Sequence, residues 1–366
     1  MDGYNGSRME DRINRTATIP DLRSLREELL ATFPAPPALL FIGEWYDQLN
    51  RLHDQFVRRT LILSERKLRE EGRGSPPVPY AFVLVGSGGR SEQTQWSDQD
   101  NGLVYADPDE EEREKVDSYF SLLAEEAFRS LQGIGYPPCE GNVICTNPQW
   151  RKPLREWIHM LEGWFEDPQW EHVRYLLISA DMRCVYGDDS LVKALKDAFH
   201  HEVRKRPASM GDMLRNTLHH KPSLGPFGNL ITERYGPDAG GLDIKYGAYI
   251  PLINGIRQLA IEADIHVSSS LLRLEALLEL AFIDKELYGR WKEAMQFALW
   301  LRTQTPYQSE NGVFSTRGML QAEQLSRELK QRLRRALRDG QELQLVVRKR
   351  TERLLTDGRN DRRDTR

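Results

Sequence analysis

Asp98 and Asp100 stand two residues apart at the entrance to an apolar run, GLVYA, in a 366-residue chain. A second apolar run, AFVLV, ends just upstream in Gly86-Ser87-Gly88-Gly89-Arg90. On a strand, residues i and i+2 project to the same side, so the two carboxylates are expected side by side. Carboxylates held that close repel one another unless a cation sits between them. Mg²⁺ is the usual one where phosphates are also bound, and Mn²⁺ is its common substitute. A turn of small residues lets backbone N–H groups approach a phosphate. The aspartate pair and the glycine turn together read as a phosphate-plus-metal site.

The surrounding elements must position that pair. Residues 80–85 and 101–106 read as strands flanking the turn, and 108–133 as an amphipathic helix with an acidic start. Upstream, Leu22, Leu25, Leu29 and Leu30, then Trp45, Leu49, Leu52, Phe56, Leu61 and Leu63, recur at helical spacing. Pro34, Pro36 and Pro37 split this stretch into two helices over 21–75. Residues 133–147 read as a loop feeding a short strand and 150–166 as a helix. The segment 175–188 fits either one strand or a helix end followed by a strand. Asp188 or Asp189 caps the next helix. Composition breaks near 207–245, with Pro207, Pro222, Pro226 and Pro237 among many glycines. Beyond Gly247 helical periodicity covers 249–264, 268–283, 285–303 and 317–355. The expected organisation is a loose tail (1–20), N-terminal helices (21–75), an α/β domain with a small mixed sheet (76–206), an all-helical domain (207–355) and a disordered end (356–366).

Composition narrows the function classes. Charged residues make up 29% and the apolar class 39%, as in soluble globular proteins. A net charge of −4 argues against nucleic acid as a partner. No signal peptide and no membrane span are expected. The three cysteines, Cys139, Cys145 and Cys184, include no C-x-x-C pair. They read as free thiols of a reducing cytoplasm rather than a zinc ribbon or redox dithiol.

A dinucleotide-binding turn needs G-x-G-x-x-G running into a helix, with one acid about 20 residues on. Here Ser91 stands at the third glycine, and the acids come early, as a pair. A P-loop needs G-x-x-x-x-G-K-[ST], and its lysine is missing. A plain glycine turn with solvated aspartates leaves unexplained why both acids abut an apolar strand. The remaining pattern is a strand, a Gly-Ser turn opening a short helix, and Asp-x-Asp on the next strand. That is the signature of the nucleotidyltransferase fold.

The stretch GSGGRSEQTQWSDQDNGLVY resembles bacterial nucleotidyltransferases related to the PII-protein uridylyltransferase. The likeness extends through GYPPCEGNVICTNPQWRKPLREW (135–157), ADMRCVYGD (180–188) and GGLDIKYGAYIPLINGIRQLA (240–260), over roughly residues 30–345. It implies a nucleotidyltransferase core and a C-terminal helical domain. It further implies transfer of an NMP from UTP or ATP to a hydroxyl acceptor, and a tyrosine on a regulatory protein is one such acceptor. Asp98 and Asp100 are then the catalytic metal ligands. Gly86, Ser87 and Gly88 hold phosphates, with Arg90, Glu92 and Gln93 on the phosphate side. Arg90 could equally pair with Glu92 or Asp98. For the third carboxylate of this fold, Asp181 is the first candidate, unless it pairs with Arg183 or Arg174, and Glu140 the second. Lys245, with Asp243, either reaches the nucleotide from the helical domain or joins an interdomain ion pair. In that group the domain is often joined to CBS or cyclic-nucleotide-binding modules, and none is expected here. The pairs His200-His201 and His219-His220 lack the spaced partners of a phosphohydrolase and read as surface residues. No sensor pair is expected after residue 345.

Overall fold

The computed structural model describes residues 6–217, 223–225, 228–310 and 313–364. His219, His220, Pro222 and Pro226 lie outside them. Strand β1 (Tyr80–Leu84) is buried along its whole length, as a run of apolar residues demands of a strand covered on both faces. It pairs antiparallel with β2 (Asn101–Tyr105) on one side and with β4 (Arg183–Gly187) on the other. Strand β3 (Arg151–Pro153) adds parallel to β2, giving a mixed four-stranded sheet in the order β3-β2-β1-β4.

Side-chain alternation divides the core in two. Phe82, Leu84, Leu103 and Tyr105 point into an apolar cluster built with α2 (Ile19–Ala31), α3 (Ile42–Glu70) and α5 (Arg113–Gly133). Ala81, Val83, Val85 and Val104 point the other way. They meet Trp150 and the helices α6 (Leu154–Glu166), α7 (Trp170–Ser179) and α8 (Asp189–Lys205). The Asp188 carboxylate accepts from the Ser190 N–H at 3.0 Å and caps α8.

The expected loose tail instead contains helix α1 (Gly6–Arg15), because Ile13 is apolar and finds full burial in the first cluster. The segment 175–188 resolves into the end of α7 and then β4. No strand forms within 133–147. The third strand starts at Arg151, where a helix was expected, and that helix begins at Leu154.

The C-terminal part is helical: α9 (Ser209–Thr217), α10 (Ile250–Glu262), α11 (Ser270–Glu279), α12 (Lys285–Gln304) and α13 (Arg327–Asp364). Helix α13 continues to Asp364, into the stretch expected to be disordered after 355. Short antiparallel ladders join β5 (Gly241–Asp243) to β8 (Met319–Gln321) and β6 (Gln308–Glu310) to β7 (Val313–Ser315). Trp291 is fully buried at the centre of these helices, and Met210, Met213 and Ile261 pack into the core cluster of α6–α8. No helix among the described residues is long and apolar enough to cross a membrane.

Candidate active site

Strand β1 runs into a single helical turn, α4 (Gly86–Gly89). Gly86 adopts φ +57°, a left-handed conformation that favours glycine, and a Cβ there would lie 2.7 Å from Asp100 Oδ2. Glycine is therefore required twice over, for the backbone angle and for the carboxylate lying against it. Gly86, Ser87 and Gly88 open the turn, where N–H groups lack a helical acceptor. Gly89 packs so closely that a Cβ would meet the Asp181 carbonyl oxygen at 2.0 Å.

Asp98 and Asp100 precede β2 rather than lie in it. Gln99 between them makes an isolated parallel bridge to Pro138, so the pair is extended and faces one way, as i and i+2 spacing requires. Carboxylate oxygens of Asp98 and Asp100 and the Cys139 Sγ all lie within 4.8 Å of one another. Asp98 is exposed and Asp100 half-buried. Burial, and then the Asp98 charge, push the Asp100 carboxyl up to about 7. The Cys139 thiol donates to Asp100 and is itself pushed up to about 12 by burial and by that carboxylate. Lys245 enters from a π-helical turn, Lys245–Tyr249, ahead of α10. Its positive charge acts on Asp100 in the opposite sense. The donor set suits a divalent cation: two converging carboxylates, one of them raised by burial and by its neighbour's charge, with glycine backbone alongside.

The loop carrying the pair is clamped by α2 and α3 and covered by β7. Asn50 on α3 accepts from the Gln93 N–H at 3.0 Å and donates to the Gln93 carbonyl at 3.2 Å. The buried His53 ring contacts the Thr94 carbonyl at 3.0 Å and the Tyr136 hydroxyl at 2.6 Å. The Arg26 guanidinium lies over the Trp96 ring at 4.9 Å, and Phe314 of β7 stacks on that same ring at 4.2 Å.

Other expected site residues are engaged elsewhere. Asp181 is fully buried and accepts from Arg90 (2.6 Å), Arg257 (3.0 and 2.6 Å) and Arg273 (2.7 Å). Burial alone would raise its carboxyl. Arg257, Arg273 and Arg90 outweigh that and hold it well below the usual carboxylate range. Both oxygens are filled, so Asp181 has no face left for a metal, and the third-carboxylate expectation fails on that ground. It pairs with neither Arg183 nor Arg174: Arg183 forms a two-pronged pair with Asp54 at 2.7 and 2.9 Å.

Arg90 does not reach toward a nucleotide. It is buried, donating to Glu92 at 2.8 Å, to Asp181 and to the Tyr249 hydroxyl at 3.2 Å. Glu92 is buried too, accepting from Arg90, the Tyr249 hydroxyl and the Ser270 N–H. Gln93 is buried behind the turn, close to Gly88. Glu140 is exposed in the turn after Cys139. His200, expected at the surface, is 5% exposed and stacks on His266 with ring centroids 4.0 Å apart. Asp264 joins those two histidines in a second group of metal-capable atoms. Arg204 already holds Asp264 at 2.6 Å, and burial lowers the proton affinity of His200.

Cys139 is the site member that sequence reasoning missed. The signal was present in PPCEGN, directly after a glycine-tyrosine turn, but a lone cysteine carries no spacing to read.

Two family models match the chain. One, described as "Putative nucleotidyltransferase DUF294", covers residues 42–171. The other, described as "Putative nucleotidyltransferase substrate binding domain", covers residues 207–351. A comparison with curated proteins gives no match. One model spans the aspartate pair with the strands and helices that hold it, the other spans the helical half that delivers Lys245, and the chain belongs to this family of nucleotidyltransferases.

Proposed function

We propose that the protein transfers an NMP from an NTP to a hydroxyl acceptor at the Asp98–Asp100 site, with UTP or ATP as donor and Mg²⁺ or Mn²⁺ bound between the two carboxylates. The observation that carries this reading is the convergence of the two aspartate carboxylates, with Asp100 lying against Gly86. A divalent cation there supplies charge neutralisation for the triphosphate and lowers the pKa of an attacking hydroxyl. The chain's own part is positioning. The N–H groups of Gly86, Ser87 and Gly88 and the Ser87 hydroxyl face the phosphates as donors. Lys245 offsets negative charge from the helical side. Asp181 and Arg90 act at one remove, fixing the end of α4 and thereby the turn that meets the substrate.

A regulatory protein offering a tyrosine is the acceptor that the resemblance to PII uridylylation favours, since a fold by itself fixes no acceptor. The competing reading is a module that binds NTP without chemistry. Labelled UTP and ATP with Mg²⁺ or Mn²⁺ and candidate acceptors separate the two. The transferase reading expects pyrophosphate and a labelled acceptor, with Asp98→Asn and Asp100→Asn each losing at least about 100-fold in rate. NTP binding with no pyrophosphate from any acceptor would favour the binding module.

A further inference from the structure

The aspartate pair has a third neighbour that is not a carboxylate. Asp181 is consumed by three arginines and Glu140 is exposed to solvent. The atom that completes the cluster is Cys139 Sγ, within 4.8 Å of an oxygen of each aspartate. The backbone holds it there from both sides. The Gln99 N–H donates to the Pro137 carbonyl at 2.9 Å, and the Asn101 N–H to the Val143 carbonyl at 3.0 Å. The Cys145 N–H donates to Asn101 Oδ1 at 2.9 Å. Between these ties, residues 139–142 close a tight turn, with the Asn142 N–H on the Cys139 carbonyl and Asn142 at φ +54°. The thiol is thus part of the loop registered against the aspartates, not a side chain that wanders into range.

We propose that Cys139 is the third protein ligand of the metal site, as a thiolate, and that the site therefore prefers thiophilic and borderline divalent ions over Mg²⁺. The inference rests on the metal-dependent reading of Asp98 and Asp100 above. Mg²⁺ requires oxygen ligands, whereas a set of two carboxylates and one sulfur suits Co²⁺, Zn²⁺ or Cd²⁺. In metal-free protein the S–H donates to Asp100. On binding, the S–H bond breaks as the sulfur–metal bond forms, and the proton passes to solvent. Cys145 and Cys184 lie outside the cluster and serve as internal controls.

The test is Co²⁺ and Cd²⁺ titration of the full chain, followed by absorption and calorimetry. Wild type and Cys184→Ser are expected to give a thiolate-to-cobalt charge-transfer band in the near ultraviolet. Cys139→Ser is expected to lose that band and to weaken Cd²⁺ by more than about tenfold. Cys139→Asp is expected to retain binding while shifting preference toward Mg²⁺. Co²⁺ binding that Asp98→Asn abolishes but that never shows the band overturns the proposal and leaves the metal site standing. Cys139 would then be a neutral donor that orients Asp100. Unchanged Cd²⁺ affinity in a folded Cys139→Ser protein overturns it equally. If no ion binds in a way that depends on Asp98, the metal site itself falls, and the Cys139 proposal with it.

Discussion

Asp100 carries two burdens in the metal-free protein, partial burial and the Asp98 charge, and together they push its carboxyl up to about 7. A carboxyl raised on folding stabilises the fold while protonated, and that contribution disappears as pH rises from about 4 to about 7. Thermal unfolding without metal is expected to lose a few kcal/mol of stability across that window, since each tenfold change in proton affinity is worth about 1.4 kcal/mol. Asp98→Asn is expected to flatten the slope. Added Mn²⁺ is expected to raise the Tm more at pH 8 than at pH 5, since the ion binds the ionised pair. Equal metal-induced changes in Tm at both pH values would contradict the site. Gly86→Ala tests the same contact from the backbone side. It combines a strained φ with a Cβ 2.7 Å from Asp100 Oδ2. The expected outcome is a stability loss of about 1–3 kcal/mol together with weakened metal binding, both readable by calorimetry.

At the scale of elements, the turn α4 is braced by a charge cluster behind it. Asp181, just ahead of β4, draws in Arg90 from beyond α4, Arg257 from α10 and Arg273 from α11. Removing the negative charge leaves three buried guanidinium groups facing one another. Asp181→Asn is expected to destabilise by about 3–5 kcal/mol in denaturant titration. Because its carboxyl is held low, the Asp181 contribution is present above the ordinary carboxylate range and lost as pH falls below it. Acid unfolding should therefore begin at higher pH in variants that weaken the cluster, such as Arg257→Gln. A midpoint indistinguishable from wild type would show the cluster to be energetically idle.

Over the whole molecule, residues 1–206 and the helical part beyond them share their interior. Ser268 Oγ donates to the Met182 carbonyl at 3.0 Å, Tyr46 to the Leu299 carbonyl at 3.1 Å, and Arg302 to the Glu92 carbonyl at 2.9 Å. Residues 1–206 alone would leave Asp181 and Glu92 buried or newly wetted without Arg257, Arg273 and Tyr249. The full chain is expected to unfold in one calorimetric transition, with residues 1–206 unstable when expressed alone. Two separated transitions, or a stable isolated core, would contradict this. The Lys245 charge acts on Asp100 only because the helical half is docked, so the site belongs to the assembled chain.

Local pattern determined a good deal. The apolar runs AFVLV and GLVYA specify strands, Pro34 to Pro37 separates α2 from α3, and Asp-x-Asp on extended backbone sets two carboxylates side by side. Those features depend on neighbours a few residues apart, which periodicity and backbone geometry report directly. The ends of the chain were harder to read, because the burial that makes α1 a helix comes from Ile13 meeting distant partners. The fates of the charged candidates were decided only by the tertiary structure. Arg90, Glu92 and Asp181 look equally fit for phosphate, metal or one another, and their long-range partners lie between 76 and 178 residues away in sequence. Cys139 is the converse case: a lone thiol without a motif, carried beside Asp98 and Asp100 by the pairing of Gln99 with Pro138. A charge's role depends on which charges surround it after folding, and that is fixed by packing between remote segments.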